Sequence, residues 1–242
     1  MSVIKIATYN VRHFSTGKLD EVDYPAFLSA IRSLDADIIG INESYGPDSR
    51  FGEKAQVEVI AEAMGWNWFF APAVQVPGWG IYGNSVLTRF PIIKADCIPI
   101  PDPKPVYPYK HYESRCILVL DVETQSGPLT VAVTHFGLNP DEQEMALKTV
   151  RTLVRPHHFI LMGDLNLTPD APIISSLSDL LKDTGKYLRQ EQNLSFPSDK
   201  PDRKIDYIFV TSDILVKDAK ILSFTVSDHR PYKCSLELNQ RG

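Results

Sequence analysis

Four stretches of the chain repeat apolar residues at helical spacing. Tyr24, Phe27, Leu28 and Ile31 follow the i, i+3, i+4, i+7 rule, as do Val57, Ile60, Ala61 and Met64, which stop before Gly65. Ala146, Thr149, Val150 and Leu153 form a third stripe. Its start is marked by Asn139 as N-cap, Pro140 in the first turn and Glu142 three residues after the cap. Ile173, Ile174, Leu177 and Leu181 form the fourth, behind Pro172. The remaining apolar runs read as strands: Ile4–Tyr9, Asp37–Asn42, Trp66–Pro72, Asn84–Thr88, Ile92–Ile98, Cys116–Val122, Leu129–Thr134, His158–Met162, Ile205–Val210, Ala219–Val226 and Tyr232–Leu238. Strands in this number, roughly ten, exceed one ordinary open sheet and predict two stacked sheets. Helices interspersed among them must cover the outer faces, so the expected layering is helix, sheet, sheet, helix. No repeat or long linker divides the chain. The proline-dense stretch Pro99 to Pro108 reads as a surface loop, and one domain over residues 1–242 is expected.

The polar residues fall at the ends of these runs. Ile4–Tyr9 stops at Asn10, and Asp37–Asn42 at Glu43. Leu129–Thr134 stops at His135, and His158–Gly163 at Asp164-Leu165-Asn166. The last but one run leads into Ser227-Asp228-His229, whereas Asp206 opens its strand. If those ends share one rim, four carboxylates (Glu43, Asp164, Asp206, Asp228) converge with Asn10, Asn166, His135 and His229. Carboxylates held so close stay ionised at low cost only around a cation. Oxygen ligation without thiolate suits Mg²⁺, Mn²⁺ or Ca²⁺ rather than structural zinc. Singly, an Asp or Asn at a strand end is most often a turn former or cap, and His135 reads as well as a core histidine; the joint pattern carries the chemistry. His13, three residues past Asn10, stays open. His157 and His158 read as a solvated loop and edge, His111 carries little weight, and Trp66, Trp68, Phe69 and Phe70 read as strand core. Trp79, in Pro77-Gly78-Trp79-Gly80, either lines a pocket or packs on the sandwich surface.

Composition narrows the function. The net charge is −5, from 25 basic and 30 acidic residues, whereas proteins that track duplexes are usually basic. A small or exposed phosphate fits better than a long nucleic acid. Cys97, Cys116 and Cys234 are too few and too widely spaced for a disulfide framework, and they suit a reducing compartment. The opening Met1-Ser2-Val3-Ile4-Lys5-Ile6 reads as a strand rather than a signal peptide, and no apolar run approaches the roughly 18 residues of a membrane span. A cytoplasmic monomer with no membrane partner is expected.

Seven blocks occur in order: Thr8-Tyr9-Asn10-Val11-Arg12, Ile41-Asn42-Glu43, Gly83-Asn84-Ser85-Val86-Leu87-Thr88-Arg89-Phe90-Pro91, Thr134-His135, Gly163-Asp164-Leu165-Asn166, Lys204-Ile205-Asp206-Tyr207-Ile208-Phe209 and Ser227-Asp228-His229-Arg230-Pro231. With them the chain, from residue 3 to 238, resembles the endonuclease/exonuclease/phosphatase (DNase I-like) family of metal-dependent phosphohydrolases. The resemblance implies a four-layer α/β/β/α sandwich and cleavage of a phosphoester with Mg²⁺ or Mn²⁺. It also implies roles. Glu43 is the principal metal carboxylate, with Asn10 and Asp228 beside it. Asp164 positions or deprotonates the attacking water, and Asn166 binds a phosphate oxygen. His229, oriented by Asp206, contacts the scissile phosphate, and His135 donates to a phosphate or leaving-group oxygen. In some relatives an acid just before the Gly-Asn segment pairs with the first histidine. Here Gly80-Ile81-Tyr82-Gly83 has none, so His135 either lacks that partner or takes Glu113.

The expected reaction is in-line attack of water on a small or exposed phosphoester, a monoester or a diester. The alternatives are a Mg²⁺-dependent nuclease acting on DNA or RNA, and an inactive binding module of the same fold.

Overall fold

A computed structural model describes residues 3–18, 20–189, 191 and 193–238; the ends of the expected 1–242 domain lie outside them. The elements in chain order are β1 (Val3–Asn10), α1 (Tyr24–Ser33), β2 (Ile38–Tyr45), α2 (Gln56–Met64), β3 (Asn67–Val76), β4 (Gly80–Thr88), β5 (Ile92–Pro99), β6 (Cys116–Thr124), β7 (Gly127–His135), α3 (Pro140–Leu153), β8 (Phe159–Asp164), α4 (Pro172–Ser178), β9 (Lys182–Asp183), β10 (Asp206–Val210), β11 (Ile214–Ile221) and β12 (Tyr232–Leu238). The strands form two six-stranded sheets, ordered β11-β12-β1-β2-β4-β3 and β5-β6-β7-β8-β10-β9. Both are mixed: β1 runs parallel to β2 and β7 to β8, while the other pairings are antiparallel.

The alternation of side chains along each strand builds the layers. In β1, Ile4 and Ile6 enter the apolar cluster between the sheets, shared with Leu118, Val133 and Met162. Ala7 and Tyr9 point the other way and pack with Phe27 and Ile31 of α1 and Val57 and Ile60 of α2. On the second sheet Ala132, Phe159 and Leu161 meet Ala146 and Val150 of α3 and Leu177 of α4. Three apolar seams thus give the four-layer α/β/β/α sandwich. The helix ends follow their sequence signals. Asn139 and Glu142 close a capping box at the start of α3, and Gly65 ends α2 at φ +68°. No helix among the described residues is long and apolar enough to cross a membrane.

The strand expected over Ala219–Val226 is displaced. β11 starts at Ile214 and stops at Ile221, after a bulge between Val216 and Asp218. The Leu222 amide donates to Pro231 O (3.0 Å) and the Phe224 amide turns back to Leu222 O (2.8 Å). Leu222, Phe224 and Val226 then pack against the helix-covered face of the first sheet, so their alternation serves packing rather than a ladder. β3 is an edge strand, and its Pro72 sits at a bulge, where a missing N–H is tolerated. Its flanking aromatics are half-buried rather than core: Trp68 and Phe70 face the helices, and Phe69 faces the inter-sheet seam. His158 is buried rather than solvated, with Nδ1 3.2 Å from Pro128 O and Nε2 3.4 Å from Asp213 Oδ2.

Candidate active site

Strand alternation aims the site as well as the core. Asn10, two residues on from Thr8 and four from Ile6, lies on the inward face of β1. Asn42, Asn84, His135, Asp164 and Asp206 occupy the same inward phase of β2, β4, β7, β8 and β10. Register sets them side by side. Asn10 faces Asn42, His135 faces Asp164, and Asp164 faces Asp206 on the other side. One rim of the sandwich therefore trades its apolar filling for polar side chains.

Two special backbone geometries finish the placement. The pairing of β2 with β4 slips between Ile41 and Ser44, and Glu43 sits inside the slip at φ +61°. This left-handed bulge turns the carboxylate into the cleft. Asn166 adopts φ +52° just past β8, and its amide donates to Asp164 Oδ1 (2.9 Å). Below them Gly163 holds φ +146° with the backbone of β7 pressed against it. An added Cβ would lie 1.8 Å from Thr134 O.

The polar groups form one connected network. Asn10 Nδ2 donates to Glu43 Oε1 (2.9 Å) and Asp164 Oδ2 (3.1 Å). Asn42 Oδ1 accepts from the Asp164 amide (2.9 Å), while its Nδ2 donates to Asn84 Oδ1 (2.8 Å) and Thr134 O (2.9 Å). This fully buried amide ties the first sheet to the second directly beneath the site. His229 Nδ1 lies 2.9 Å from Asp206 Oδ2, and its Nε2 lies 3.6 Å from Asp164 Oδ2. Asp228 is half-exposed, 3.6 Å from Arg12 Nε and bonded by the Ser227 hydroxyl (3.2 Å). Glu43, His135, Asp164, Asn166, Asp228 and His229 line one cavity of about 770 Å³, within the roughly 300–1,000 Å³ usual for small-molecule sites. Asn10 and Asp206 stand directly behind them. All eight side chains singled out in the sequence are thus brought together.

Electrostatics in the cleft are strained. Burial raises the Asp164 proton affinity, His229 opposes it, Asp206 adds to it, and the result is about 7. For His229, burial lowers the affinity, but Asp206 and then Asp164 raise it, to about 10. The ring is therefore an imidazolium at neutral pH. Burial also raises Glu43, against the Asn10 amide. Ligand atoms of Asp164, Asp206 and His229 lie within 4.8 Å of one another, a spacing a metal could bridge. His229 already supplies a cation between those two carboxylates. The oxygens of Glu43, Asp228 and Asn10 match the donor preference of a hard divalent ion. Among the described residues, Asp206 Oδ1 is buried with no hydrogen-bond partner.

Of the two alternatives for His135, the missing acid holds: Glu113 does not reach it, and Arg115 does, with Nη1 2.9 Å from His135 Nδ1 and 3.0 Å from Glu113 Oε1. Trp79 stays out of the cavity lining, stacked on Tyr45 with the Arg50 guanidinium 4.0 Å from its ring centroid. His13 does line the cavity, its Nε2 3.8 Å from Glu43 Oε2 and its ring against Tyr45 and Tyr82. Phe196 covers His229, ring centroids 4.7 Å apart. Sequence reasoning gave no role to Asn42, Asn84, Tyr82 or Phe196. Asn42 and Asn84, polar residues on the inward phase of buried strands, carried the one signal that points to them.

Comparison with known proteins agrees with this geometry. The family model described as Endonuclease/Exonuclease/phosphatase family matches residues 7–229. No curated protein matches the chain. Among solved structures, an endonuclease/exonuclease/phosphatase from Beutenbergia cavernae DSM 12333 superimposes with a TM-score of 0.84 at 23% identity, over 99% of this chain and 72% of that one. The Bacteroides thetaiotaomicron VPI-5482 mannosyl-6-phosphatase gives 0.78 at 18% identity, over 97% of this chain and 100% of that one. The human Nocturnin catalytic domain, solved with a bound sulfate anion, gives 0.74 at 15%, over 98% and 94%. At such identities these likenesses establish the fold, and the model match over residues 7–229 establishes the rest: the chain belongs to the endonuclease/exonuclease/phosphatase family.

Proposed function

We propose that the protein is a divalent-metal-dependent hydrolase of small or exposed phosphoesters. The observation that carries this reading is the Glu43–Asn10–Asp164–His229–Asp206 chain of contacts at the floor of one cavity. Glu43, Asn10 and Asp228 would hold Mg²⁺ or Mn²⁺, which when bound withdraws charge from the phosphate oxygens. The residues of the chain do the rest. Asp164 orients the attacking water and accepts its proton, since Asn10 and the Asn166 amide fix both carboxylate oxygens. The His229 imidazolium, held by Asp206, stabilises charge growing on the phosphate in the transition state. The Asn166 side-chain amide, tied to Phe136 O (3.0 Å), is held at the same place to bond a phosphate oxygen. The new oxygen–phosphorus bond forms as the bond to the leaving oxygen breaks. A net charge of −5 favours small substrates over long nucleic acid, and one protein of this fold is named a mannosyl-6-phosphatase.

The test is turnover of a panel of phosphomonoesters, phosphodiesters and plasmid DNA with Mg²⁺, Mn²⁺ or chelator. Metal-dependent turnover of small esters, abolished by Asp164→Ala and by His229→Ala, is expected. Efficient plasmid nicking with little small-ester turnover would make the protein a nuclease, and folded, metal-loaded protein inert throughout would make it a binding module.

A further inference from the structure

His135 sits between two donors. On one side Arg115 Nη1 is 2.9 Å from Nδ1. A guanidinium only donates, so Nδ1 must offer a lone pair. On the other side Asn166 Nδ2 is 3.1 Å from Nε2, and that amide cannot be turned over, because the same nitrogen donates to Phe136 O at 3.0 Å. An imidazolium, with N–H on both nitrogens, would meet an N–H on each side, one of them on a cation. The neutral ring with its one proton on Nε2 avoids the worse clash, and Asp164 Oδ2 lies 3.6 Å from that nitrogen. Arg115 is itself held in place: Glu113 Oε1 lies 3.0 Å from Nη1, and Tyr82 of β4 lines the same cavity. Its side chain is only 10% exposed.

We propose that Arg115 is a positioning residue that locks His135 as a neutral imidazole protonated on Nε2, so that His135 gives a hydrogen bond but no proton to the leaving oxygen. The charged groups around the ring agree. Burial, Arg115, and the neighbouring His229 and His13 all lower its proton affinity well below the ordinary histidine value; Asp164 is the carboxylate facing it. The site then holds one imidazolium, His229, and one neutral donor, His135. This is the reverse of a histidine paired with an acid, which is readily protonated.

Resting on the phosphoesterase reading, the lock names a substrate class. In the step, water oxygen bonds to phosphorus and gives its proton to Asp164. The phosphorus–leaving oxygen bond breaks, and its electron pair stays on the leaving oxygen, which departs unprotonated against the Nε2–H. Aryl esters and phosphoanhydrides, whose leaving oxygens carry charge easily, are favoured over simple alkyl esters.

The test begins without turnover. In protein labelled with ¹⁵N and ¹³C at histidine, and assigned with His135→Gln, the His135 ring should show one neutral Nε2–H signature from pH 5 to 9, with and without Mg²⁺. Arg115→Met should let His135 titrate within that range, and Arg115→Lys, which keeps a charged donor, should restore the neutral ring. A wild-type His135 that titrates between pH 5 and 8 overturns the lock even if Arg115→Met does not fold. A ring that stays neutral in folded Arg115→Met overturns the part given to Arg115. For turnover, nitrophenyl esters should outpace matched methyl esters by roughly a hundredfold or more, the size of a missing general acid; equal rates overturn the substrate class. A locked, neutral His135 in a protein inert toward every ester supports the lock and counts only against the phosphoesterase reading.

Discussion

Asp206→Asn isolates the most consequential electrostatic contact in the site. Asp206 Oδ2 lies 2.9 Å from His229 Nδ1, and both side chains are buried. Burial lowers the proton affinity of His229. Against it this carboxylate is the largest influence holding the ring protonated, and the balance moves His229 from 6.5 to about 10. The sign follows from linkage. A histidine whose folded value is raised stabilises the fold fully below its unfolded value, 6.5, and loses that contribution as pH rises through about 10. Each pH unit in that window costs about 1.4 kcal/mol per proton, so wild type should lose on the order of 3–5 kcal/mol between pH 6.5 and 10. Asp164, also raised, to about 7, adds a decline at lower pH: its protonated form is the one the fold prefers, so stability falls as pH rises from 3.8 toward 7. The neutral amide introduced by Asp206→Asn cannot hold an imidazolium. The variant should therefore be less stable than wild type by about 3 kcal/mol near the unfolded histidine value, a size typical of breaking a buried ion pair, and the gap should close by about pH 10. Urea unfolding in chelator at half-unit pH steps measures it. A stability gap that stays constant across the window refutes the linkage, whatever happens to activity, which should fall roughly a hundredfold or more.

Three further changes probe the frame. Gly163→Ala places a methyl 1.8 Å from Thr134 O at φ +146°, where β7 and β8 cannot part without losing their ladder; a loss above about 3 kcal/mol, or no soluble protein, is expected in thermal melts. Asn42→Ala removes three buried hydrogen bonds, to Asn84, Thr134 and the Asp164 amide. It should cost about 2–4 kcal/mol in urea unfolding and lower turnover, because Asp164 loses its anchor. Glu43→Gln should weaken Mg²⁺ binding at least about tenfold by calorimetry while leaving stability equal or slightly higher, since the carboxylate it replaces has its proton affinity raised by burial.

The fold was legible where period and burial coincide. Ile4 and Ile6 against Ala7 and Tyr9 give both seams of the first sheet from one strand, and Asn139 with Glu142 starts α3 where the capping pattern predicts. Legibility failed where alternation served something other than a ladder. Leu222, Phe224 and Val226 alternate like a strand, yet they pack over the helix side, with the Leu222 amide on Pro231 O and the Phe224 amide turned back to Leu222 O. His158 reads as an edge position opening its strand next to Pro156 and His157, but the carboxylate it packs against, Asp213, comes from 55 residues further on.

At the site the sequence named the side chains and left their directions and partners hidden. Asn10, Asp164 and Asp206 were readable because each sits at the end of an apolar alternation that already points inward. Glu43 was readable as a residue type only: on regular alternation it would leave the inward phase, and a slip in the β2–β4 register with φ +61° turns it back. No local pattern announces that slip; it depends on how β4 pairs. His135 shows the same limit more sharply. From sequence its partner is a missing acid, with Glu113 as the nearest substitute. In space Glu113 binds Arg115, and Arg115 faces the ring. One intervening guanidinium exchanges an acceptor for a donor at Nδ1, and with it the charge the ring can carry. Which residues can do chemistry is therefore written in the order of the strands, while what each can do depends on contacts that only the packing of β4, β6 and β7 against one another decides.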